Sequence, residues 1–312
     1  MRLSQIGELG LIERLKRILD SQIIGDDTAP VNLGGSTVLL TCDTLVEDRH
    51  FKISYPPSAI GWKAISVNVS DVVANGGTPA YALISLVLPD VQVSFVEEVY
   101  LGVKKACEFY RCQVVGGNVS KGDKVCVDVF LVGETERFVG RRGAMEGDWV
   151  FVSGPLGDSR AGLELLLMEK KNYEDFELSL IERHLRPTAR VDFAKHISKY
   201  ANASMDISDG LSIDAHRLAQ ASGVRLNLFS KNIPISQELR SFCRKHGKDP
   251  LQYALLGGED YQLLFTHPAG RFNPFLSMFH IGVVEKGQGV YLDNNPVEPE
   301  GFDHFRVLAT SI

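Results

Sequence analysis

Residues 204–211 carry the sequence SMDISDGL, in which a short strand pattern runs directly into the start of a helix. Side chains alternate between the two faces of a strand, so Asp206 and Ser208 share the face opposite the apolar strand residues. Asp209 follows where the helix begins. Two carboxylates and a hydroxyl within four residues are more than one helix cap requires, and oxygen ligands suit a hard cation. A plain N-cap for Ser208 or Asp209 is the structural alternative.

Outward from this segment, strand and helix patterns alternate through the second half of the chain. Helices are predicted from residues 159 and 211 and at about 176–184 and 189–200, and strands at 149–153, 204–207, 224–228, 261–266 and 281–284. This alternation favours the α/β class.

The first half shows the same alternation. The pattern predicts helices at 5–20, 61–74 and 93–110, and strands at 37–41, 81–88, 112–115 and 124–133. The strand at 37–41 is expected to end at Cys42-Asp43, and the strand at 112–115 to end at Gly116-Gly117-Asn118. A polar, glycine-rich segment at 141–148 predicts a domain boundary near residue 140, with an N-terminal domain at 1–139 and a C-terminal domain at 140–312.

Composition narrows the class of protein. A length of 312 residues, 44% hydrophobic and 23% charged, is enough for two packed cores. The formal charge of -6 gives no electrostatic reason to expect nucleic acid or an anionic membrane as a partner. The five cysteines form no C-x-x-C pair, which favours a reducing cytoplasm over a disulfide framework or a zinc site.

Acidic residues recur where predicted strands and helices meet, and this recurrence is the main functional signal. One such residue alone is commonly an N-cap or a turn former. The repeated positions are Asp26, Asp27, Asp43, Asp71, Asp206, Asp209, Glu259 and Asp260. On the helix at 61–74, Asn68 and Asp71 form a polar stripe with Asn75 beyond them, which either faces water or supplies ligands.

Several familiar catalytic motifs are missing from the sequence. It contains neither a P-loop nor a complete G-x-G-x-x-G, and no histidine lies in a zinc or triad motif. The glycine-rich segment 154–162 is either an anion-binding helix start or an ordinary turn. His50, just after Asp48-Arg49, is either a substrate contact or an exposed loop histidine.

Six ordered motifs resemble those of the thiamine-monophosphate kinases, a family of the aminoimidazole-ribotide-synthetase-like superfamily. The likeness covers nearly the whole chain. The matching segments are Ile24-Gly25-Asp26-Asp27, Thr41-Cys42-Asp43-Thr44-Leu45 with His50-Phe51, residues 68–77 (NVSDVVANGG), Gly116-Gly117-Asn118, residues 205–211 (MDISDGL), and Gly257-Gly258-Glu259-Asp260-Tyr261.

The resemblance implies the fold, the assembly and the site residues. It implies a two-domain α/β (α+β) fold in which the N-terminal domain forms a β-barrel shared with a second copy in a homodimer. Several Mg²⁺ ions would be held by Asp27, Thr41, Asp43, Asp71, Asn118, Asp206 and Asp209, with Asp71, Asp209 and Arg141 catalytic. ATP would contact Tyr100, Gly117, Asn118, Arg141 and Ser208, and thiamine phosphate would contact His50, Glu259 or Asp260, and Phe302. Many family members carry Asp at the position of Asn118, so a neutral amide would replace one carboxylate here.

The resemblance also implies the reaction, which is phosphorylation of thiamine phosphate by ATP, the last step of thiamine diphosphate biosynthesis. The acceptor phosphate has a second pKa of about 6, so it needs no general base at neutral pH. In-line transfer assisted by metal ions therefore agrees with the missing catalytic pairs. Two alternatives are an aminoimidazole ribotide synthetase and a non-catalytic regulator that binds nucleotide or metal. A selenophosphate synthetase would need a reactive Cys near the N-terminus, and a hydrogenase-maturation relative would end in Cys, whereas this chain ends in Ile312.

Overall fold

The computed structural model describes residues 2–270, 273, 275–302 and 305. The first half of the chain contains, in order, α1 (Leu3–Leu19), β1 (Ala29–Leu33), β2 (Ser36–Val46), α2 (Pro57–Ala74), β3 (Thr78–Leu88), α3 (Val93–Tyr110), β4 (Gln113–Lys121) and β5 (Cys126–Thr135). The second half contains β6 (Trp149–Val152), α4 (Asp158–Leu167), α5 (Asp175–Leu185), α6 (Ala194–Tyr200), β7 (Ala203–Ile207), α7 (Leu211–Ser222), β8 (Arg225–Leu228), α8 (Gln237–His246), α9 (Pro250–Leu256), β9 (Gln262–His267), β10 (Phe279–Glu285), β11 (Gly289–Leu292) and β12 (Asn295–Val297). Across these ranges, every helix is too short or too polar to cross a membrane.

Each half of the chain builds one mixed sheet from the described residues. The first has five strands in the order β1-β2-β5-β3-β4, and the second has seven in the order β12-β11-β8-β10-β6-β9-β7. In the first sheet β3 and β4 run parallel while the other neighbours are antiparallel. The predicted α/β class is confirmed. The boundary near residue 140 stays a prediction.

Helix α2 connects the two sheets. It packs on β2, β3 and β5 of the first sheet and also contacts β7 and β9 of the second. Most of its residues are buried, because its sequence is apolar on nearly every face. Close packing against α3 depends on two glycines, since a Cβ at Gly61 or Gly102 would lie 1.9 Å from a carbonyl oxygen of the facing helix. The helix therefore holds its polar residues at a fixed place between the two halves.

The prediction that two strands end early is wrong. Strand β2 continues past Asp43 to Val46, because β5 supplies antiparallel partners from Thr37↔Thr135 to Val46↔Cys126. Strand β4 likewise runs through its glycine pair to Lys121, paired in parallel with β3. Gly117 lies so close to β3 that a Cβ there would be 1.9 Å from the Ile84 carbonyl oxygen. These glycines permit close strand contact and do not mark a turn.

The polar stripe on α2 is buried, so the alternative in which it faces water is wrong. Asn68 Oδ1 accepts from the backbone N–H of Asp43 at 3.1 Å, which ties the helix to β2. Asn75 Oδ1 accepts from the backbone N–H and the hydroxyl of Thr28, at 2.8 Å and 2.7 Å. These two asparagines use their amides to bind the backbone on either side of Asp71, and so fix where its carboxylate lies.

Candidate active site

Three carboxylates from separate parts of the chain meet beside α2. Asp27 precedes β1, Asp71 lies on α2 and Asp206 lies on β7, and one oxygen of each falls within 4.8 Å of the others. The first two belong to the half that builds the first sheet, and the third to the half that builds the second sheet. The cluster therefore exists only because α2 holds both halves together.

Hydroxyl groups hold two of these carboxylates. Thr41 Oγ1 donates to Asp71 Oδ2 at 2.5 Å, and Ser70 Oγ donates to Asp206 Oδ2 at 2.6 Å. In the described part of the chain, the buried Asp27 Oδ2 atom has no hydrogen-bond partner. A buried oxygen left without a partner is costly, so this atom needs a cation or a proton.

The electrostatics of the cluster point to the same need. Burial, together with the negative charges of Asp43, Asp206 and Asp27, raises the pKa of Asp71 well above its usual value. Burial and the charge of Asp27 likewise raise the pKa of Asp206. Hard divalent cations prefer oxygen ligands of this kind, so the donor set fits Mg²⁺ or a similar ion.

Two arginines lie beside the cluster. The guanidinium of Arg141 binds Asp27 Oδ1 at 2.5 Å. Burial would lower the pKa of Arg141, but Asp27, Asp214 and Asp26 together raise it. Arg217 Nη1 binds Asp209 Oδ2 at 2.5 Å and Asp214 Oδ1 at 2.7 Å. Burial and the Asp209 charge raise the pKa of Asp214 to about 7. Arg141 neutralises the charge of Asp27 in part, and Arg217 does the same for Asp209 and Asp214. Asp71 and Asp206 have no arginine partner among the ion pairs of the described residues.

The predicted nucleotide contacts fall in two places. Tyr100, Gly117 and Asn118 line a surface groove of about 450 Å³ on the first sheet. Asn118 there donates its amide to Ser120 Oγ at 3.0 Å. Arg141 lies instead beside Asp27, and Ser208 follows the strand that carries Asp206. The roles proposed for these residues stay predictions.

The residues predicted to contact the acceptor also lie in separate places. His50 lines a cleft with Lys63 and His184, and the Glu259 carboxylate binds the Lys63 ammonium at 2.6 Å. Asp260 instead accepts from the backbone N–H groups of Gly157 and Ser159, at 2.5 Å and 3.0 Å, at the start of α4. Burial and the nearby Asp158 raise the pKa of Asp260 to about 8.

Glu259 therefore lies beside two residues that line the cleft, whereas Asp260 binds the start of α4, and which of the two contacts the acceptor stays a prediction. Phe302 lies elsewhere, where its backbone N–H donates to the Asp209 carbonyl at 3.1 Å and its side chain is about half exposed.

Sequence reasoning missed Arg217, Asp214, Ser70, Lys63 and His184. Arg217 carried a detectable signal, because it lies three residues after Asp214 on one face of α7. Ser70, Lys63 and His184 act through contacts between residues far apart in the chain, which no local pattern shows.

Comparison with known proteins identifies the family. The AIR synthase related protein family matches with its N-terminal domain at residues 25–135 and its C-terminal domain at residues 145–292. A thiamine-monophosphate kinase of Aquifex aeolicus is 65% identical over 98% of this chain and 100% of its own length. The chain belongs to the thiamine-monophosphate kinase family. The resemblance seen in the six motifs is thereby confirmed.

Other thiamine-monophosphate kinases agree with this assignment. The one from Archaeoglobus fulgidus is 32% identical over 96% of this chain and 98% of its own length. A solved structure of AaThiL complexed with AMPPCP and TMP is 65% identical, covers 97% of this chain and 99% of that one, and superposes with a TM-score of 0.96. The two-domain fold expected from the resemblance is confirmed.

The raised pKa of Asp71 predicts how the metal-free protein responds to Asp71→Asn. A carboxyl whose pKa is raised by folding costs stability as pH rises from its unfolded value, near 3.9, through its folded value. Asparagine cannot ionise, so the variant should have a higher free energy of unfolding than the wild type at pH 7. Chemical denaturation in EDTA measures this, and the pH dependence above pH 4 should flatten.

In the presence of Mg²⁺ the wild type should have a higher free energy of unfolding than Asp71→Asn, the reverse of their order in EDTA. The wild type should gain stability with Mg²⁺ concentration, because only the folded state assembles the carboxylates, and Asp71→Asn should gain less. Asp48→Asn is the control, since its carboxylate is exposed and pairs with Lys124 on the surface. An Asp71→Asn protein less stable than the wild type in EDTA would contradict the repulsion described above.

Proposed function

We propose that this chain transfers the γ-phosphoryl group of ATP to thiamine phosphate, giving ADP and thiamine diphosphate. Its membership of the thiamine-monophosphate kinase family supports this reaction. Further support comes from the AaThiL complex, a 65% identical neighbour that holds AMPPCP, an analogue of ATP, together with TMP. The observation that carries the proposal is the cluster of Asp27, Asp71 and Asp206, which fits a phosphotransferase that works without a P-loop.

We propose Mg²⁺ as the ion held by this cluster, with Asp43 and Asp209 as further ligands. When bound, Mg²⁺ neutralises negative charge on the phosphate groups and on the carboxylates. The hydroxyls of Thr41 and Ser70 hold Asp71 and Asp206 in place before any ion binds. The cost of bringing the carboxylates together is met during folding, so the site is organised when the nucleotide arrives.

Arg141 is a cation beside the carboxylate cluster that does not depend on a metal ion. Its guanidinium is charged at neutral pH and binds Asp27. A positively charged, planar donor in this position suits the oxygens of a transferring phosphoryl group. The acceptor is a phosphate oxygen that is already ionised at neutral pH, so its attack on the γ-phosphorus of ATP needs no proton transfer. The residues of the site therefore act by position and charge.

We also propose that the enzyme is a cytoplasmic homodimer. Its five cysteines are free thiols, as a reducing compartment favours. Strand β4 is at the edge of the first sheet beside β3, and both strands expose apolar side chains. The exposed side chains are Tyr81, Leu83, Val115 and Val119. A patch of this kind commonly marks a protein interface, and a second copy could extend the sheet there.

Leu83→Glu should weaken this dimer, because it places a charge in the apolar patch. Light scattering should give twice the 34.4 kDa chain mass for the wild type and a concentration-dependent shift towards one chain for the variant. Ile18→Glu is the control, since Ile18 is exposed on α1, away from the sheet. A wild-type protein that stays monomeric at micromolar concentration would overturn the homodimer.

The reaction itself is tested by incubating the protein with ATP, Mg²⁺ and thiamine phosphate and separating the products by chromatography. We expect ADP and thiamine diphosphate in equal amounts, and a loss in turnover of about 100-fold or more for Asp71→Asn at saturating Mg²⁺. Thiamine diphosphate should not form when Mg²⁺ is removed with EDTA.

A parallel incubation with the acceptor of aminoimidazole ribotide synthesis separates the enzymatic alternative. Ring formation there, without thiamine diphosphate in the first assay, would replace the proposal by that activity. ATP binding without ADP release in either assay would favour a regulator. Unchanged turnover in Asp71→Asn would remove Asp71 from the central role.

A further inference from the structure

Lys63 is a buried cation that the proposed reaction leaves unused. It lies on α2, and its side chain is 3% exposed. Its ammonium binds Glu259 Oε1 at 2.6 Å and donates to the backbone carbonyl of His50 at 3.4 Å. A buried ammonium requires such partners, because its desolvation is costly. Lys63 therefore contacts both residues expected to meet the acceptor.

Glu259 is held in an unusual conformation. Its φ angle is +62°, in the left-handed region that non-glycine residues seldom adopt. Its backbone N–H donates to the Ser208 carbonyl at 2.7 Å, which ties the loop to the segment after Asp206. Burial would raise the pKa of the Glu259 carboxyl, but the Lys63 ammonium, together with His184 and His50, offsets this and the pKa is lowered. The carboxylate therefore stays ionised.

His184 holds the other oxygen of Glu259. Its Nδ1 atom lies 3.5 Å from Glu259 Oε2 and 2.9 Å from Ser159 Oγ. Burial and the Lys63 charge lower the pKa of His184 to about 3, so the imidazole is neutral and its contact is polar without being an ion pair. Lys63 is thus the charge that balances Glu259.

The contacts of Lys63 cross between the two halves of the chain. Lys63 and His50 belong to the half that builds the first sheet, and Glu259 and His184 to the half that builds the second. Lys63, His50 and His184 line one cleft together with the apolar side chains of Phe51, Tyr55, Ala59, Ile60 and Leu185. The Lys63–Glu259 contact therefore joins the two halves of the chain beside this cleft.

We infer that Lys63 is a positioning residue for acceptor binding, which fixes the Glu259 carboxylate and the His50 backbone across the two halves of the cleft. The inference rests on the proposed function, because it assumes that the acceptor contacts His50 and Glu259. Asp71, the member of the carboxylate cluster on α2, lies about two turns from Lys63. Loss of Lys63 should therefore change acceptor binding and leave nucleotide binding nearly unchanged.

Lys63→Met tests this, because methionine keeps most of the side-chain length and removes the charge. We expect the KM for thiamine phosphate to rise about tenfold or more while the KM for ATP changes less than about twofold. Calorimetry on the same proteins should show the matching loss in affinity for thiamine phosphate. Lys52→Met is the matched control, since Lys52 pairs across the two halves with Glu169 at 3.8 Å but is exposed. It should leave both KM values unchanged.

A double variant separates positioning from general damage to the fold. If Lys63 acts through Glu259, then Lys63→Met combined with Glu259→Gln should raise the KM for thiamine phosphate no more than Glu259→Gln alone. The double variant also removes the unpaired buried carboxylate, so it remains informative if Lys63→Met alone does not fold. Multiplying effects, or equal increases in both KM values, would overturn the positioning role.

Measurements on the wild-type protein, of thiamine phosphate binding and of thiamine diphosphate formation, distinguish this inference from the proposed function. Wild type that binds thiamine phosphate without forming thiamine diphosphate would refute the kinase reaction, and the affinities of the variants would still decide the role of Lys63. Wild type that binds no thiamine phosphate would overturn both.

Discussion

The repulsion among the Asp27, Asp71 and Asp206 carboxylates is the constraint on which the site depends. Three acidic groups with oxygens within 4.8 Å of one another oppose folding unless a proton or a cation compensates them. Arg141 lies beside one of the three carboxylates, and hydroxyl groups donate hydrogen bonds to the other two. One positive charge therefore faces three acidic groups. We propose that a divalent cation compensates the remaining negative charge.

The packing of α2 maintains this arrangement. The helix is buried between the two sheets, and the paired glycines that let α3 approach it leave little freedom to shift. Four of its polar side chains bind defined partners. Asn68 and Asn75 bind the neighbouring backbone, Ser70 holds Asp206, and Lys63 binds Glu259 from the same helix. One element therefore positions both the proposed metal site and the cleft.

The sequence predicted most of the elements because their apolar periods are local. The helix at 93–110 and the alternation around β7 are clear examples. It failed where partners distant in the chain decide the outcome, as in β2 beyond Asp43 and in β4 through its glycines. It also did not predict α8, α9, β1, β11 or β12. The acidic residues of the site were visible because they recur at the predicted ends of strands and helices. The contact of Lys63 with Glu259 was not visible, since an ion pair between residues far apart in the chain leaves no periodic signal.

The most direct test of the cation site is anomalous diffraction from crystals grown with Mn²⁺ and a non-hydrolysable ATP analogue. Manganese takes oxygen ligands like those of magnesium and scatters strongly enough to be located. The account predicts an anomalous peak bound by oxygens of Asp27, Asp71 and Asp206, and its loss in Asp71→Asn. Nucleotide bound with no peak among these three carboxylates would contradict it.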